Sequence, residues 1–213
     1  MTRIPENTPP GAAILRVAAV DGDRGVNNRV TYRIVKGGSG LFKMDALSGV
    51  ISVAAHLDRE ATLSQPHGAS YVLEVEAAEV TQQVAPPPSV RTEVTILLTD
   101  VNDELPAFRS SYYVAEVDEN AGNGVVVTFT GAGNVPQVFD RDQGVNGSFR
   151  LALEGKGAEH FEVLPPEATN EATFLIRVKN SMALDFESVK SFQMKIVAVE
   201  KSDKTRTTSV PVD

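Results

Sequence analysis

Cysteine and tryptophan are both missing from these 213 residues. Without thiols there is no disulfide, no thiolate metal ligand and no sulfur nucleophile. The compartment stays open on that ground alone, since secreted proteins without disulfides exist. Histidine occurs three times, at His56, His67 and His160. None lies in a Ser or Cys signature, and no nucleophile elbow is present. Aromatic residues make up 6% of the chain. That is too few to line the sugar-stacking cleft a pair of glycosidase carboxylates would need. No apolar run approaches the ~18 residues of a membrane span, and Met1-Thr2-Arg3 does not lead into the apolar stretch of a signal peptide. Positive charge is scarce: 20 Lys and Arg stand against 28 Asp and Glu, a net charge of −8. A nucleic-acid or anionic-membrane partner is therefore excluded, whereas cations are favoured. The glycine runs carry no phosphate chemistry. "GGSG" at 37–40 has no Lys-Ser or Lys-Thr after it, and the G-x-G at 131–133 runs into Pro136. No catalytic residue is assigned.

What is present is a succession of short β-rich segments. "RVTYRIV" (29–35), "GVISVAA" (49–55), "YVLEVEA" (71–77) and "VRTEVTILLTD" (90–100) occupy the first half. "YYVAEV", "GVVVTFT", "GSFRLAL", "ATFLIRV" and "FQMKIVAV" continue in the second. Gly, Pro, Asn and Asp punctuate them. In "YVLEVEA", Tyr71, Leu73 and Val75 alternate with Val72, Glu74 and Glu76, which predicts one apolar and one wet face. About seven strands per hundred residues predicts a β-sandwich. "VAPPPSV" (84–90) is a loop, because proline cannot sit inside a ladder.

The halves repeat one another. "IPEN" (4–7) matches "VDEN" (117–120), "DGDRGVNN" (21–28) matches "DRDQGVNG" (140–147), "LDRE" (57–60) matches "LDFE" (184–187), and "VEAAE" (75–79) matches "IVAVE" (196–200). The order is constant while the separations drift from 113 to 127 residues, as loop insertions between anchors would make them. The sequence thus predicts an all-β chain of two tandem seven-stranded Greek-key β-sandwich domains, residues 1–103 and 104–213. "TDVNDELPAF" (99–108) is the joint. The first copy lacks its earliest strand residues, and the last residues, "VPVD", align with the start of another joint, so the chain reads as a piece of a longer array.

The shared anchors are mostly carboxylates. Two such groups about 4 Å apart repel by roughly 4 kcal/mol at an effective dielectric near 20, so a cluster of them calls for a cation. Every available donor is oxygen, which favours Ca²⁺ over zinc or copper; Mg²⁺ seldom uses an all-protein cage. The EF-hand does not fit. Its fifth position would be Gly25 or Gly144 and its twelfth Tyr32 or Leu151. Taken singly, such anchors are commonly turn residues. The ordered, duplicated set is not explained that way.

P-E-N, D-x-D-x-G-x-N, L-D-[RF]-E and D-x-N-D, in this order and spacing, resemble extracellular cadherin repeats, as in the long many-repeat protocadherin or tip-link types. The resemblance spans nearly the whole chain, twice. It implies three Ca²⁺ ions at the joint. The outermost would take Glu6, Asp58, Glu60 and Asp103. The middle one would take Glu6, Glu60, Asp100, the Val101 carbonyl, Asp103 and Asp142. The third would take Asn102, the Glu104 carbonyl, Asp140, Asp142, the Asn146 carbonyl and Glu200. Glu104 stands where the family usually has Asn; Glu200 and Glu79 stand where it usually has Asp. Asp21, Asp23, Asn27 and Glu79, and likewise Glu119, Asp185, Glu187 and Asp213, would belong to incomplete joints at the two ends. The resemblance further implies a glycoprotein, namely the extracellular part of a single-pass plasma-membrane adhesion or mechanical-linkage receptor. Its partners would be other cadherin molecules, homophilic or heterophilic, with no direct membrane contact by this stretch, which is monomeric or weakly dimeric. The adhesion by tryptophan exchange used in short cadherins is excluded by composition. Asn146-Gly147-Ser148 is a glycosylation sequon, but its place in the metal loop favours the unmodified residue. The competing reading is a secreted or bacterial calcium-stabilised carbohydrate-binding β-sandwich module.

Overall fold

A computed structural model describes residues 1–20, 28–64, 67–81, 86–131 and 135–213. The chain divides into two compact units, Met1–Val101 and Asn102–Asp213.

The first unit holds β1 (Thr2–Pro5), β2 (Ala13–Arg16), β3 (Val30–Lys36), β4 (Phe42–Met44), β5 (Val50–Val53), β6 (Ser70–Glu79) and β7 (Ser89–Thr99). One sheet has the order β1-β7-β6-β3, and the other β2-β5-β4. β1 runs parallel to β7, with Thr2 opposite Ile96, while the remaining pairs are antiparallel. The core forms as strand alternation requires. Tyr71, Leu73 and Val75 of β6 and Ile96 and Leu98 of β7 face Phe42, Ile51 and Val53 of the other sheet. The Phe42 and Tyr71 rings meet edge-on at 5.3 Å.

The opposite face of β6 is less wet than the alternation predicts. Glu76 is only 6% exposed. It lies between β3 and β7, where Arg33 donates to Oε2 at 2.5 Å and Arg91 to Oε1 at 2.9 Å. Arg33, then Arg91, hold this carboxyl below the ordinary glutamate range. The long arginine stems cover it, so a charged position reads as buried.

The β4–β5 turn shows why its sequence is "DALSG". Asp45 Oδ1 accepts the Ser48 N–H at 2.8 Å and the Ser48 hydroxyl at 2.7 Å. Gly49 then takes φ +70°, and a Cβ there would stand 2.2 Å from the Val17 carbonyl oxygen. Gly49→Ala is expected to cost about 2 kcal/mol, combining a left-handed backbone with a backbone clash. A melt resolving the first unit's transition checks this; an unchanged transition would contradict it.

The second unit holds β8 (Ala107–Phe108), β9 (Val114–Glu116), β10 (Thr128–Thr130), β11 (Gln137–Phe139), β12 (Ser148–Gly155), β13 (Phe161–Leu164), β14 (Glu167–Thr169), β15 (Glu171–Thr173), β16 (Leu175–Val178), β17 (Met194–Glu200) and β18 (Thr207–Val212). The ladders are β14-β12-β17-β18, β15-β11-β8, β13-β16 and β10-β9. Eleven short strands among the described residues replace the seven expected. "ATFLIRV" is cut at Phe174, where the segment changes partner: β15 and the Phe174 N–H, which donates to the Pro136 carbonyl at 2.8 Å, pair on the β11 side, while β16 pairs with β13. Pro165 and Pro166 separate β13 from β14, as residues without an N–H do. The core gathers Phe149, Leu151, Phe174, Ile176, Val178, Ile196 and Ala198. Phe174 is the hub of an edge-on aromatic group with Tyr113, Phe129 and Phe108, at 5.3, 5.7 and 6.0 Å between ring centres.

Candidate metal centre

In the first unit, Glu6 is placed by the end of β1. Its N–H donates to the Thr99 carbonyl at 3.1 Å, which continues the parallel pairing with β7. Glu6 is 2% exposed. Its Oε2 accepts the Arg59 N–H at 2.7 Å and its Oε1 the Val101 N–H at 2.9 Å. One carboxylate thus ties together three separate stretches: "PEN", "LDRE" and the end of β7. Burial pushes it up to about 7, and neighbouring Glu60 adds to the rise.

Asp58 and Glu60 come from a turn into a short 3₁₀ segment, Glu60–Thr62. Asp58 Oδ1 accepts the Ala61 N–H at 2.7 Å. Asp58 is exposed and Glu60 half-buried. Carboxylate oxygens of Glu6, Asp58 and Glu60 lie within 4.8 Å of one another. Arg59, between the two acids of "LDRE", turns its guanidinium back to Glu60 Oε1 at 2.8 Å and Asp100 Oδ1 at 3.0 Å. Asp100 and Val101 are half-buried at the end of β7.

The second unit holds its own set. Asp140 follows β11, and its N–H donates to the Asn170 carbonyl at 2.7 Å. Its Oδ1 accepts the Asp142 N–H at 3.0 Å. Asp140 and Asp142 are 3% and 0% exposed. The loop can curl this tightly only because residue 147 is glycine. A Cβ there would stand 2.4 Å from the Asp142 carbonyl oxygen, which Asn170 Nδ2 also approaches. Asn146 is half-buried in this loop, and its N–H donates to the Gln143 carbonyl at 3.2 Å. The sequon serine is engaged as well. Ser148 is 8% exposed, and its hydroxyl contacts the Gly144 carbonyl and the Thr169 hydroxyl.

Glu200 ends β17 and is 1% exposed. Its Oε2 accepts from Asn102 Nδ2 at 2.7 Å, and its Oε1 from Arg206 Nε at 2.7 Å. The Glu104 N–H reaches Asp142 Oδ1 at 3.3 Å, and the Glu104 carbonyl accepts from Arg206. Asp103 is exposed. Two buried oxygens in this set, Asn102 Oδ1 and Asp140 Oδ2, have no hydrogen-bond partner. Leaving such atoms unsatisfied costs about 1–3 kcal/mol each, and a hard, oxygen-seeking cation is the kind of partner that would satisfy them. Asp140 is pushed up to about 6, chiefly by burial and further by Glu200 and Glu104.

Each unit therefore assembles part of the predicted donor set. Glu6, Asp58 and Glu60 converge in the first, and Asn102, Glu104, Asp140, Asp142 and Glu200 interlock in the second. Of the residues assigned to incomplete end joints, Asp21, Asp23 and Asn27 lie outside the described residues, while Glu79 accepts from Asn28 Nδ2 at 3.1 Å. Sequence reasoning missed two side chains, Arg59 and Arg206. The first sits inside the motif itself. The second was recoverable only by counting the β17–β18 hairpin back to the residue opposite Glu200.

Comparison with known proteins agrees with this geometry. The cadherin-domain family profile matches residues 1–99. Cadherin-related family member 1 from Bos taurus is 36% identical over 200 residues, covering 92% of this chain and 22% of the relative. Cadherin-23 from Rattus norvegicus is 33% identical over 201 residues, covering 93% of this chain and 6% of the relative. The chain thus spans a minor part of the length of these curated relatives. Among solved structures, mouse cadherin-23 EC22-24 superposes with a TM-score of 0.74 at 28% identity, covering 99% of this chain and 60% of that one. The protocadherin gammaB7 EC3-6 cis-dimer structure gives 0.69 at 26% identity, covering 100% and 45%. Motif order, all-β architecture and these matches converge: the chain belongs to the cadherin superfamily.

Proposed function

We propose that this chain is a segment of a calcium-dependent adhesion or mechanical-linkage ectodomain, in which Ca²⁺ held by acids of both repeats stiffens the linker between them. The observation that carries the reading is the pair of partnerless buried oxygens, Asn102 Oδ1 and Asp140 Oδ2, beside the further buried acid Asp142. An acid set this buried raises the energy of the folded chain unless a cation joins it.

The chain's residues divide the work. Glu6, Asp58, Glu60 and Asp103 serve the outermost of three ions. Glu6, Glu60, Asp100, Asp103, Asp142 and the Val101 carbonyl serve the middle one. Asn102, Asp140, Asp142, Glu200 and the Glu104 and Asn146 carbonyls serve the third. Glu6 positions its carboxylate through two backbone N–H groups, so its orientation is set before any ligand arrives. Asp142 is held by the tight turn at Gly147. When bound, Ca²⁺ supplies a non-directional, high-charge acceptor for six to eight oxygens. With the acids neutralised, their mutual repulsion no longer drives the two repeats to vary their orientation. The reading is non-enzymatic. It places the chain outside the cell, as part of a membrane-anchored protein whose partners are other cadherin molecules. Among the described residues, no helix is long and apolar enough to cross a membrane.

Calorimetric titration with Ca²⁺, paired with small-angle scattering, tests this. Saturable binding is expected, with a narrower distribution of scattering dimensions in calcium. Absence of binding at millimolar calcium would sink the reading. Asp103→Ala is expected to lower total affinity more than Glu200→Ala, because Asp103 serves two ions and Glu200 one. Equal losses would count against the ligand assignment.

A further inference from the structure

The β17–β18 hairpin brings one arginine to an unusual place. Val199 pairs with Thr207, and the Glu200 N–H donates to the Arg206 carbonyl at 3.1 Å, so Arg206 stands directly across from Glu200. The turn that puts it there is self-supporting. Asp203 Oδ1 accepts the Thr205 N–H at 2.9 Å and the Thr205 hydroxyl at 2.7 Å, and the Arg206 N–H donates to the Asp203 carbonyl at 3.0 Å. From this position the guanidinium donates through Nε to Glu200 Oε1 and through Nη2 to the Glu104 carbonyl. Both acceptors belong to the donor set assigned to the third ion.

The first unit shows that the fold does not require this residue. In its equivalent hairpin Ala78 pairs with Ser89, and the Glu79 N–H donates to the Pro88 carbonyl at 3.0 Å. The residue across from the matching acid is therefore Pro88, which has neither charge nor donor. Glu79 turns to Asn28 instead.

We propose that Arg206 is a resident cation of the third position. It neutralises Glu200 and holds the Glu104 carbonyl when no divalent ion is bound, and it weakens this position for Ca²⁺. The proposal rests on the calcium reading above. Its physical basis is twofold. A guanidinium supplies fixed donors to carboxylate and carbonyl oxygens that would otherwise be buried unpaired. The same positive charge repels an incoming divalent ion and competes for two of its donors. The joint would then respond to calcium in two steps, with this end of the second unit keeping its shape after the other positions have filled or emptied.

The test is a calcium titration by calorimetry of the whole chain and its Arg206→Met and Arg206→Lys variants, with each also melted in EDTA. In Arg206→Met one site is expected to tighten about tenfold, since a repelling charge and a competing donor are both removed. Its melting temperature in EDTA is expected to fall, because Glu200 loses its counter-charge. Arg206→Lys keeps a charge and is expected to keep the weak site. Site affinities in Arg206→Met that are all equal to or below those of the unaltered chain overturn the role of Arg206 and leave the calcium reading standing. No binding in any of the three proteins overturns both. Arg206→Gln, which keeps polarity without charge, serves if the methionine variant folds poorly, and the same tightening is required of it.

Discussion

Stripping calcium from the chain with EDTA is expected to lower its melting temperature by about 5–15 °C. Extracellular sites of this class bind at about 10⁻⁴–10⁻³ M. At ~1 mM Ca²⁺ a site with Kd ~0.1 mM contributes roughly 1.4 kcal/mol. Three independent sites would contribute roughly 4 kcal/mol, divided between two melting units. A change of 1 kcal/mol moves the midpoint of a ~100-residue domain by about 4–8 °C. The loss should fall on both units, because the proposed donors come from both: Glu6, Asp58 and Glu60 from one, and Asp140, Asp142 and Glu200 from the other. Differential scanning calorimetry with and without chelator checks this. Coincident melts would mean that the buried acids tolerate one another without metal.

Asp140→Asn is expected to act with opposite sign in the two conditions. Asp140 is 3% exposed, and its carboxyl is pushed up to about 6 from an ordinary value of 3.8. In the metal-free chain this acid stabilises the fold fully only below its unfolded value, and the contribution is lost as pH rises through about 6. Near neutral pH the ionised group therefore opposes folding. The asparagine variant keeps an oxygen for the Asp142 N–H and removes the charge that Glu200 and Glu104 oppose. In EDTA at pH 7.5 it should be more stable than the unaltered chain, by on the order of 1–2 kcal/mol, with a flatter pH profile between about 4 and 6. In calcium it should be less stable, with one affinity reduced at least about tenfold, because a charged ligand has become neutral. Melts over pH 5–8 with and without calcium resolve the two effects. A variant destabilised in both conditions would show that Asp140 serves only to shape its loop.

Much of this molecule was legible before any coordinates. Alternation in "YVLEVEA" located β6 and placed Tyr71, Leu73 and Val75 in the core. The duplicated order of acidic anchors separated two repeats. Oxygen-only donors led to the expectation of a hard cation, which the calcium titration tests. What alternation could not supply was the company each side chain keeps across strands. Glu76 reads as a solvent-facing residue, yet it is buried, since β3 and β7 bring Arg33 and Arg91 to its two sides. The strand count in the second unit was also out of reach. The break at Phe174 depends on which strand lies alongside, β11 before it and β13 after it, and the break at Pro165-Pro166 on two residues without an N–H.

The order and chemistry of the acids, the all-β class and the tandem repeat were settled by the amino-acid sequence itself, because period-two patterning and motif spacing are local properties of a chain. The partnerless oxygens of Asn102 and Asp140, the double tether on Glu6 and the hold of Arg206 on the Glu104 carbonyl were decided only by the tertiary structure. Each depends on register between segments that lie up to about a hundred residues apart, and register follows from loop lengths and packing that no single stretch encodes.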